Sequence, residues 1–211
     1  VAGCAVKFLD GGWFPLALGA LLFGVMSTWS RGRALLLEGI RREGVDLREF
    51  LAQPDLRTMS RATRTAVYPV ADPTTVPQAL LHNIKHNEVL HEHNVIVTVV
   101  FRDVPWVAPD DRAEVERLGE GFWRVVHNFG FMETPDVPRA LALTDSHGLH
   151  VPAFSTSYFL SRETVVPLPR TAMATWRDRL FVAMSRNAGG VVEYFRLPGN
   201  AVVEIGTRVQ I

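Results

Sequence analysis

The sequence predicts an α/β protein, with one transmembrane helix followed by a soluble domain in which helices pack on a mixed β-sheet. Three observations predict it. An uncharged apolar run extends from Trp13 to Trp29. A strand-like segment, a helix and a second strand then follow in that order, which implies a parallel crossover. The second strand, from Asn94 to Phe101, is apolar on both faces, as expected inside a sheet that helices cover.

The apolar run reads WFPLALGALLFGVMSTW and contains no ionisable side chain. At about 1.5 Å per residue it covers roughly 25 Å, and flanking residues extend it toward the roughly 30 Å hydrocarbon core. Tryptophan at both ends is typical of an interfacial belt, and two arginines follow immediately. We therefore interpret Trp13, Trp29, Arg31 and Arg33 as membrane-interface residues. The alternatives are a buried helix of a soluble protein and a signal peptide, although the positive charge follows the run instead of preceding it.

The charges after the run predict its orientation. Between Ser30 and Arg64 there are eight arginines and five acidic residues, so the positive-inside rule places this end in the cytoplasm. Apolar residues recur through this stretch at helical spacing and predict one or two amphipathic helices. They are Leu36, Leu37, Ile40, Leu47, Phe50 and Leu51. Such helices either lie along the membrane face or form a linker packed on the soluble domain.

Composition divides the chain into three segments. We expect residues 1–30 to end a membrane domain, residues 31–64 to form a juxtamembrane linker and residues 65–211 to form the cytosolic α/β domain. The polar stretch from Gln53 to Thr65 is the predicted joint. Because the chain starts at Val1 in an apolar segment, we interpret it as part of a longer protein. The single cysteine, Cys4, excludes an internal disulfide.

Periodicity and turn residues predict the elements of the last segment. The predicted strands are Ala66 to Val70, Asn94 to Phe101, Glu114 to Leu118, Phe122 to Phe131, Phe154 to Leu160, Val191 to Leu197 and Ala201 to Ile205. Gly119-Glu120-Gly121 between the third and fourth of them predicts a hairpin with a three-residue loop. The predicted helices are Gln78 to Leu90, Asp136 to Leu143 and Ala172 to Asn187. In the last helix, Met173, Trp176, Leu180 and Met184 repeat at spacings of three and four, so we expect them to form its buried face.

Few residues suggest a catalytic, metal-binding or ligand-binding role. His82, His86, His91 and His93 cluster, and the first two lie one helical turn apart, a spacing that suits zinc. A solvated helix end is the favoured interpretation, because no HExxH motif or cysteine accompanies them. GxSxG, GxGxxG and P-loop motifs are absent from the sequence. Polar residues that are candidates for a regulatory pocket are Ser161, Arg162, Glu163, Arg186 and Asn187, with structural ion pairing as the alternative.

The segment RLGEGFWRVVHNFGFM, from Arg117 to Met132, is superficially similar to the aromatic strand of an RNA-recognition motif. From Thr65 onward, however, thirteen basic residues face sixteen acidic ones. A net charge of this sign repels phosphate. The sequence therefore argues against a nucleic-acid partner.

Several sequence motifs, taken together, indicate a family resemblance. KFLDGGWFPL (Lys7 to Leu16), the apolar run and TWSRGR (Thr28 to Arg33) resemble the last transmembrane helix of the KUP/HAK/KT family of potassium transporters. Motifs similar to those of its cytosolic domain are LHNIKHNEVLH (Leu81 to His91), FGFMETPDVPRA (Phe129 to Ala140), YFLSRET (Tyr158 to Thr164) and WRDRLFVAMSRN (Trp176 to Asn187). They cover nearly the whole chain and stand in family order.

The resemblance implies a LeuT-like, multi-pass transporter of the bacterial inner membrane that takes up K⁺ together with protons. It implies that the ion site lies in upstream helices, so no residue of this chain is assigned as a metal ligand, a cofactor ligand or a catalytic group. The implied partners are the lipid bilayer and the upstream membrane domain, with a homodimer as a candidate assembly. Some bacterial members respond to cyclic di-AMP, which implies a regulatory cytosolic domain with a cyclic dinucleotide as candidate ligand.

Two other functions remain open from the residues themselves. One is a membrane-anchored enzyme whose active site lies after Thr65, and the other is a soluble nucleic-acid module. Partition of the chain into membranes separates the nucleic-acid module from both the transporter and the enzyme. The sequence favours the transporter, because the segment after Thr65 shows no recognisable nucleophile, metal set or phosphate loop.

Overall fold

The computed structural model describes residues 12–166 and 173–210. Cys4, the beginning of the motif at Lys7 and the expected helix start at Ala172 lie outside these ranges. The helices are α1 (Trp13–Glu43), α2 (Leu47–Leu51), α3 (Asp55–Thr58), α4 (Gln78–Asn87), α5 (Val137–Ala142), α6 (Thr175–Arg186) and α7 (Val191–Tyr194). The strands are β1 (Ser60–Pro69), β2 (Val89–Arg102), β3 (Ala113–Gly119), β4 (Phe122–Gly130), β5 (Thr156–Val166) and β6 (Val202–Gln210).

The six strands form one sheet in the order β3-β4-β2-β1-β5-β6. The central strands β4, β2, β1 and β5 are parallel, and β3 pairs with β4 in the antiparallel direction. The predicted mixed sheet, the crossover from β1 through α4 to β2 and the β3–β4 hairpin are therefore confirmed. Parallel strands are buried on both faces, which explains why β2 is apolar at successive positions.

Successive side chains of each strand enter two different cores, as the period of two requires. On β1, Ala66 and Tyr68 point into one core and Val67 into the other. Helices α2, α3 and α4 contribute Leu47, Leu56 and Leu80 to the first core. Helix α5 contributes Val137 and Leu141 to the second. The sheet is thus covered on both faces, giving a three-layer arrangement.

The segment after α1 packs on the sheet. Asp46 caps α2, because its carboxylate accepts hydrogen bonds from the N–H groups of Arg48 and Glu49 at 2.9 and 3.0 Å. Leu47 and Phe50 are then buried in the first core. Of the two expectations for the linker, packing on the soluble domain is the one that this part of it follows.

The predicted joint and the hairpin loop differ in detail from the structure. The stretch from Gln53 to Thr65, which was predicted as a polar joint, contains α3 and the first half of β1. Leu56 of α3 is buried in the first core. The hairpin loop has two residues, since Gly119 already pairs with Phe122. Gly121 has φ +76°, and an added Cβ there would overlap the carbonyl oxygen of Glu92, so the position requires glycine.

The strand predicted from Val191 to Leu197 is wrong. The chain forms the short helix α7 there, in which Tyr194 N donates to Gly190 O at 3.2 Å and Phe195 N donates to Val191 O at 3.0 Å. Helical spacing brings Val192 and Phe195 onto the second core together, which alternation along a strand would not allow.

The described chain forms two compact units. Residues 12–42, 165–166, 173–188 and 208–210 belong to the first, which we call the helical unit, and residues 43–164 and 189–207 to the second, which we call the sheet unit. Helix α6 therefore groups with α1, although it lies within the segment predicted as the cytosolic domain. The chain leaves the sheet unit after residue 164 and returns to it at residue 189. The predicted segment boundaries stay a prediction.

Candidate functional site: the α1–α6 helix pair

Helix α1 is a continuous helix of 31 residues, which at 1.5 Å per residue is about 46 Å long. Within the described residues, its stretch from Trp13 to Arg42 is the one helix long and apolar enough to cross a membrane. Its first eleven residues are exposed on every side, with Leu21 and Phe23 among the most exposed apolar side chains. A soluble helix buries such a surface, so this part of α1 needs an apolar environment of its own.

Helices α1 and α6 run parallel to each other. Arg177 near the start of α6 contacts Ser27 and Thr28 of α1. One turn further along α6, Phe181 contacts Trp29 and Gly32. Because the contacted residues advance in the same direction on both helices, α6 begins beside the end of the apolar run and follows α1 into its arginine-rich half.

The contact between α1 and α6 begins with a polar cluster of Ser27, Thr28 and Arg177. Thr28 Oγ1 donates to the carbonyl of Gly24 at 2.7 Å, and Ser27 Oγ donates to the same carbonyl at 3.2 Å. The hydroxyl oxygens are then free to accept, and Arg177 donates to them from Nε at 3.0 Å and from Nη2 at 3.4 Å. The guanidinium is thereby fixed at the level of Thr28, which is fully buried.

The apolar part of the contact follows directly. Phe181 is completely buried and forms a small core with Leu36 and Met173. The Phe181 ring lies 5.6 Å from the Trp29 ring, measured between centroids. It rests on Gly32, where an added Cβ would overlap ring carbons of Phe181. The absence of a side chain at residue 32 therefore allows the close approach of the two helices.

The predicted buried face of α6 is wrong at Trp176. Met173 is buried as expected, but Trp176 is 60% exposed, while Leu180 and Met184 are only half-buried. The face that packs on α1 is formed by Arg177 and Phe181, spaced one turn apart. Apolar spacing alone missed it, because the partner surface offers two hydroxyls for an arginine and a glycine for a ring.

The residues interpreted as a membrane interface have different environments. Trp13 is 53% exposed at the start of α1, whereas Trp29 is half-buried against Phe181. Arg31 and Arg33 are both exposed. Between residues 31 and 42, α1 has four arginines and one glutamate, and α6 has three arginines and one aspartate. The pair is thus strongly basic beyond the apolar run.

The candidate pocket residues are divided between the two units. Ser161 and Arg162 lie within β5, which continues past the predicted strand end to Val166. Arg162 forms an exposed ion pair with Glu204 at 3.4 Å, while Asn187 Nδ2 donates to the carbonyl of Ala183 at 2.8 Å. Arg186 is the last residue of α6. Together with Glu163, these residues stay a predicted pocket.

The histidine cluster is spread over two elements. His82 and His86 stack on α4 with ring centroids 5.8 Å apart, whereas His91 is buried on β2 beside Phe159. Among residues 12–166 and 173–210, no group of three or more His, Cys, Asp or Glu side chains is arranged to hold a metal.

In the motif from Phe129 to Ala140, Glu133 joins two neighbouring loop segments by hydrogen bonds, an arrangement that we call the loop clamp. Glu133 accepts from the N–H groups of Gly130 at 2.7 Å and Val107 at 3.3 Å, and from the Arg112 guanidinium at 2.6 Å. Burial alone would raise the pKa of Glu133, but these two N–H groups and Arg112 lower it below its usual value. Gly130 and Pro135 on either side of Glu133 indicate a turn in the sequence, but they do not identify the partners of the carboxylate.

Comparison with known proteins identifies the family. The family model described as "K+ potassium transporter C-terminal domain" matches residues 63–211. The chain belongs to this family. The residues matched by the K⁺ transporter C-terminal domain include α6, so one of its own helices packs on the candidate membrane span.

Relatives match over nearly the whole chain. The "Probable potassium transport system protein Kup 2" of Albidiferax ferrireducens is 57% identical over 211 residues, which is 100% of this chain and 34% of that protein. Proteins named "Probable potassium transport system protein Kup" from Methylibium petroleiphilum and Xylella fastidiosa are 48% and 49% identical, over 100% and 98% of this chain and 33% of each relative. The chain thus spans about a third of the length of these relatives. No solved structure matches it.

Proposed function

We propose that this chain is the C-terminal part of a potassium uptake transporter that couples K⁺ entry to protons, with α1 as its last transmembrane helix. Three observations support this proposal. The relatives are named potassium transport proteins, α1 is long and apolar enough to span a bilayer, and the family match covers the segment after it. The same names favour transport over a membrane-anchored enzyme. The K⁺ site then lies in upstream helices.

We further propose a bacterial inner-membrane location with the sheet unit in the cytoplasm. The arginines after the apolar run support this orientation by the positive-inside rule. The upstream membrane domain and the bilayer are then the immediate neighbours of α1. We also propose a homodimer and regulation by a cyclic dinucleotide, for which Ser161, Arg162, Glu163, Arg186 and Asn187 are the candidate pocket.

The role we propose for the sheet unit is to tune K⁺ flux. The observation that carries this role is the contact between Arg177 and the hydroxyls of Ser27 and Thr28. Helix α6 is joined by chain to the sheet unit at both ends and packs on α1. A shift of α6 therefore changes the environment of a membrane helix directly. Regulation of this kind requires an element that can adopt two arrangements, and α6 is the element that we propose.

Rubidium uptake by the full-length protein in liposomes tests this role. We expect Arg177→Ala and Phe181→Ala to leave transport measurable while changing its rate or its response to cyclic di-AMP by about 5- to 150-fold, the usual range of coupling. Ala183→Ser, on the exposed side of α6, is the matched control. Unchanged uptake and unchanged response in both variants would count against coupling through α6. Purified protein that turned over a nucleotide would favour the enzyme instead.

A further inference from the structure

We propose that the exposed side of α6, centred on Trp176 and Arg179, is a docking surface for the anionic headgroup layer of the bilayer. This inference rests on the proposed membrane insertion of α1, but it does not depend on any role in transport. It assigns a lipid-binding function to a helix that lies, in sequence, within the family's C-terminal domain.

The depth of α6 is the first argument. Arg177 is hydrogen-bonded to Ser27 and Thr28, which directly precede Trp29 at the end of the apolar run. Trp176 is the neighbour of Arg177, so it lies at the same level along α1 as Trp29. If α1 spans the membrane up to Trp29, Trp176 lies at the membrane–water interface, the depth that tryptophan prefers.

The exposure of Trp176 is the second argument. A side chain of this size that is 60% exposed leaves a large apolar surface uncovered. The ring is not part of the core of the pair, which is formed by Phe181, Leu36 and Met173. An interfacial position satisfies both halves of the indole, with the ring against acyl chains and the N–H among headgroups.

Charge is the third argument, and it selects the bilayer over the upstream protein. Arg179 is exposed one turn from Trp176, and Arg31 and Arg33 are exposed on the neighbouring helix. If the face of α6 that carries Trp176 packed against other membrane helices, it would have to bury exposed guanidinium groups such as that of Arg179, which is costly. Anionic headgroups accept them instead, and an arginine near such a surface strengthens binding about five-fold.

The arrangement also predicts that contact with the headgroup layer decreases along α6. Ala183 is exposed on the same helix, and seven residues separate it from Trp176. Seven residues are almost two full turns, so the two positions share a face and lie about 10 Å apart along the axis. Because α6 follows α1 away from the apolar run, residue 183 lies outside the headgroup layer that residue 176 contacts.

Site-specific photo-cross-linking tests this inference. The full-length protein carries p-benzoylphenylalanine in place of Trp176 or of Ala183, in vesicles of phosphatidylethanolamine with or without phosphatidylglycerol. We expect lipid adducts by mass spectrometry that are several-fold more abundant at residue 176 than at residue 183, and more abundant with phosphatidylglycerol. Both positions are exposed, so the buried side chains of the pair remain intact.

Other outcomes overturn the inference. Adducts from residue 176 to an upstream segment, or to a second copy of the chain, would make this surface a protein interface. Equal lipid labelling at both residues, or labelling at neither, would place α6 at a different depth. Protection of a Leu21→Cys variant from a water-soluble maleimide shows separately whether α1 is inserted, because residue 21 lies near the middle of the apolar run. A failure at residue 176 in a protein with an inserted α1 therefore refutes the docking surface alone.

Discussion

Phe181 of α6 lies directly on Gly32 of α1, and an added Cβ at residue 32 would overlap ring carbons Cγ and Cδ2 of the phenylalanine. Because Phe181 is completely buried, the ring has little room to move. The contact joins two family motifs that are about 150 residues apart in the chain. It also gives a physical reason for the glycine in TWSRGR.

We expect Gly32→Ala to destabilise the helical unit. Alanine gains about 1 kcal/mol of helix propensity over glycine, but overpacking of a buried site costs about 1 to 3 kcal/mol. Gly24→Ala is the matched control, since an added Cβ there meets nothing within 4 Å in the described residues. Thermal unfolding of the chain in detergent measures both. If Gly32→Ala were as stable as Gly24→Ala, the close approach of the two helices would be wrong.

The apolar run makes a second prediction. Leu21 is exposed near the middle of the candidate span, so Leu21→Arg should weaken membrane insertion by about 2.5 to 3.5 kcal/mol. Glycosylation mapping of the inserted fraction measures this, and Leu21→Ala controls for loss of side-chain volume. Insertion of the arginine variant at the parental level would show that the span had been misplaced.

Trp176 makes a third prediction. Because it is 60% exposed, Trp176→Ala should cost less than about 1 kcal/mol of stability, far below the roughly 3 to 5 kcal/mol expected when Phe181→Ala empties a buried site. Thermal unfolding of the two variants side by side gives the comparison. A loss for Trp176→Ala that approached the loss for Phe181→Ala would instead mean that the ring is buried.

The sheet was predictable because its signals are local. The β-branched run from Asn94 to Phe101 and the glycines around Glu120 carry their structure in neighbouring residues. The resemblance likewise indicated the family correctly. Both the fold class and the family were therefore within reach of the sequence.

The packing of α6 was not predictable in the same way. Its spacing allowed either Trp176 or Phe181 to face the core, and the choice depends on Gly32, Ser27 and Thr28 on a distant helix. Likewise, the segment from Val191 to Leu197 has strand-like composition, but the second core selects the helical spacing of Val192 and Phe195. Tertiary partners decided these elements.

The loop clamp around Glu133 makes a fourth prediction. Its pKa in the folded chain lies below the ordinary value of 4.5, so its contribution to stability is complete above that pH and is lost as the pH falls through the folded pKa. We expect Glu133→Gln to destabilise the sheet unit by about 1 to 3 kcal/mol at neutral pH, because an NH₂ group replaces one carboxylate oxygen, so that either Arg112 or the two N–H groups lose their acceptor. The loss should shrink at acid pH.

Urea unfolding at several pH values measures this difference. Glu120→Gln, in the exposed hairpin loop, is the control for removal of a negative charge. Equal stability of Glu133→Gln and the parent at neutral pH would remove the clamp from the account of this loop.

His127 makes the last prediction. It is almost fully buried on β4, beside Phe129 at a centroid distance of 6.4 Å, and pairs across strands with Val99 and Ala113. Burial lowers its pKa from 6.5 to about 4, while the Arg112 backbone opposes the shift slightly. The folded chain therefore keeps this imidazole neutral between these values, whereas the unfolded chain binds a proton. Stability must then fall as the pH drops from 6.5 toward 4, with a slope approaching about 1.4 kcal/mol per pH unit.

In His127→Leu this component of the slope should disappear, because leucine fills a similar apolar space and cannot be protonated. His86→Asn, at an exposed position on α4, is the control for removal of an imidazole. Urea unfolding between pH 6.5 and 5 lies above the range in which Glu133 titrates. Burial also lowers the pKa of His91, so the difference between the parent and His127→Leu is what measures His127 separately. If His127→Leu kept the same pH dependence as the parent, another group would be responsible for it, and the burial of a neutral imidazole on β4 would have no consequence for the stability of the sheet.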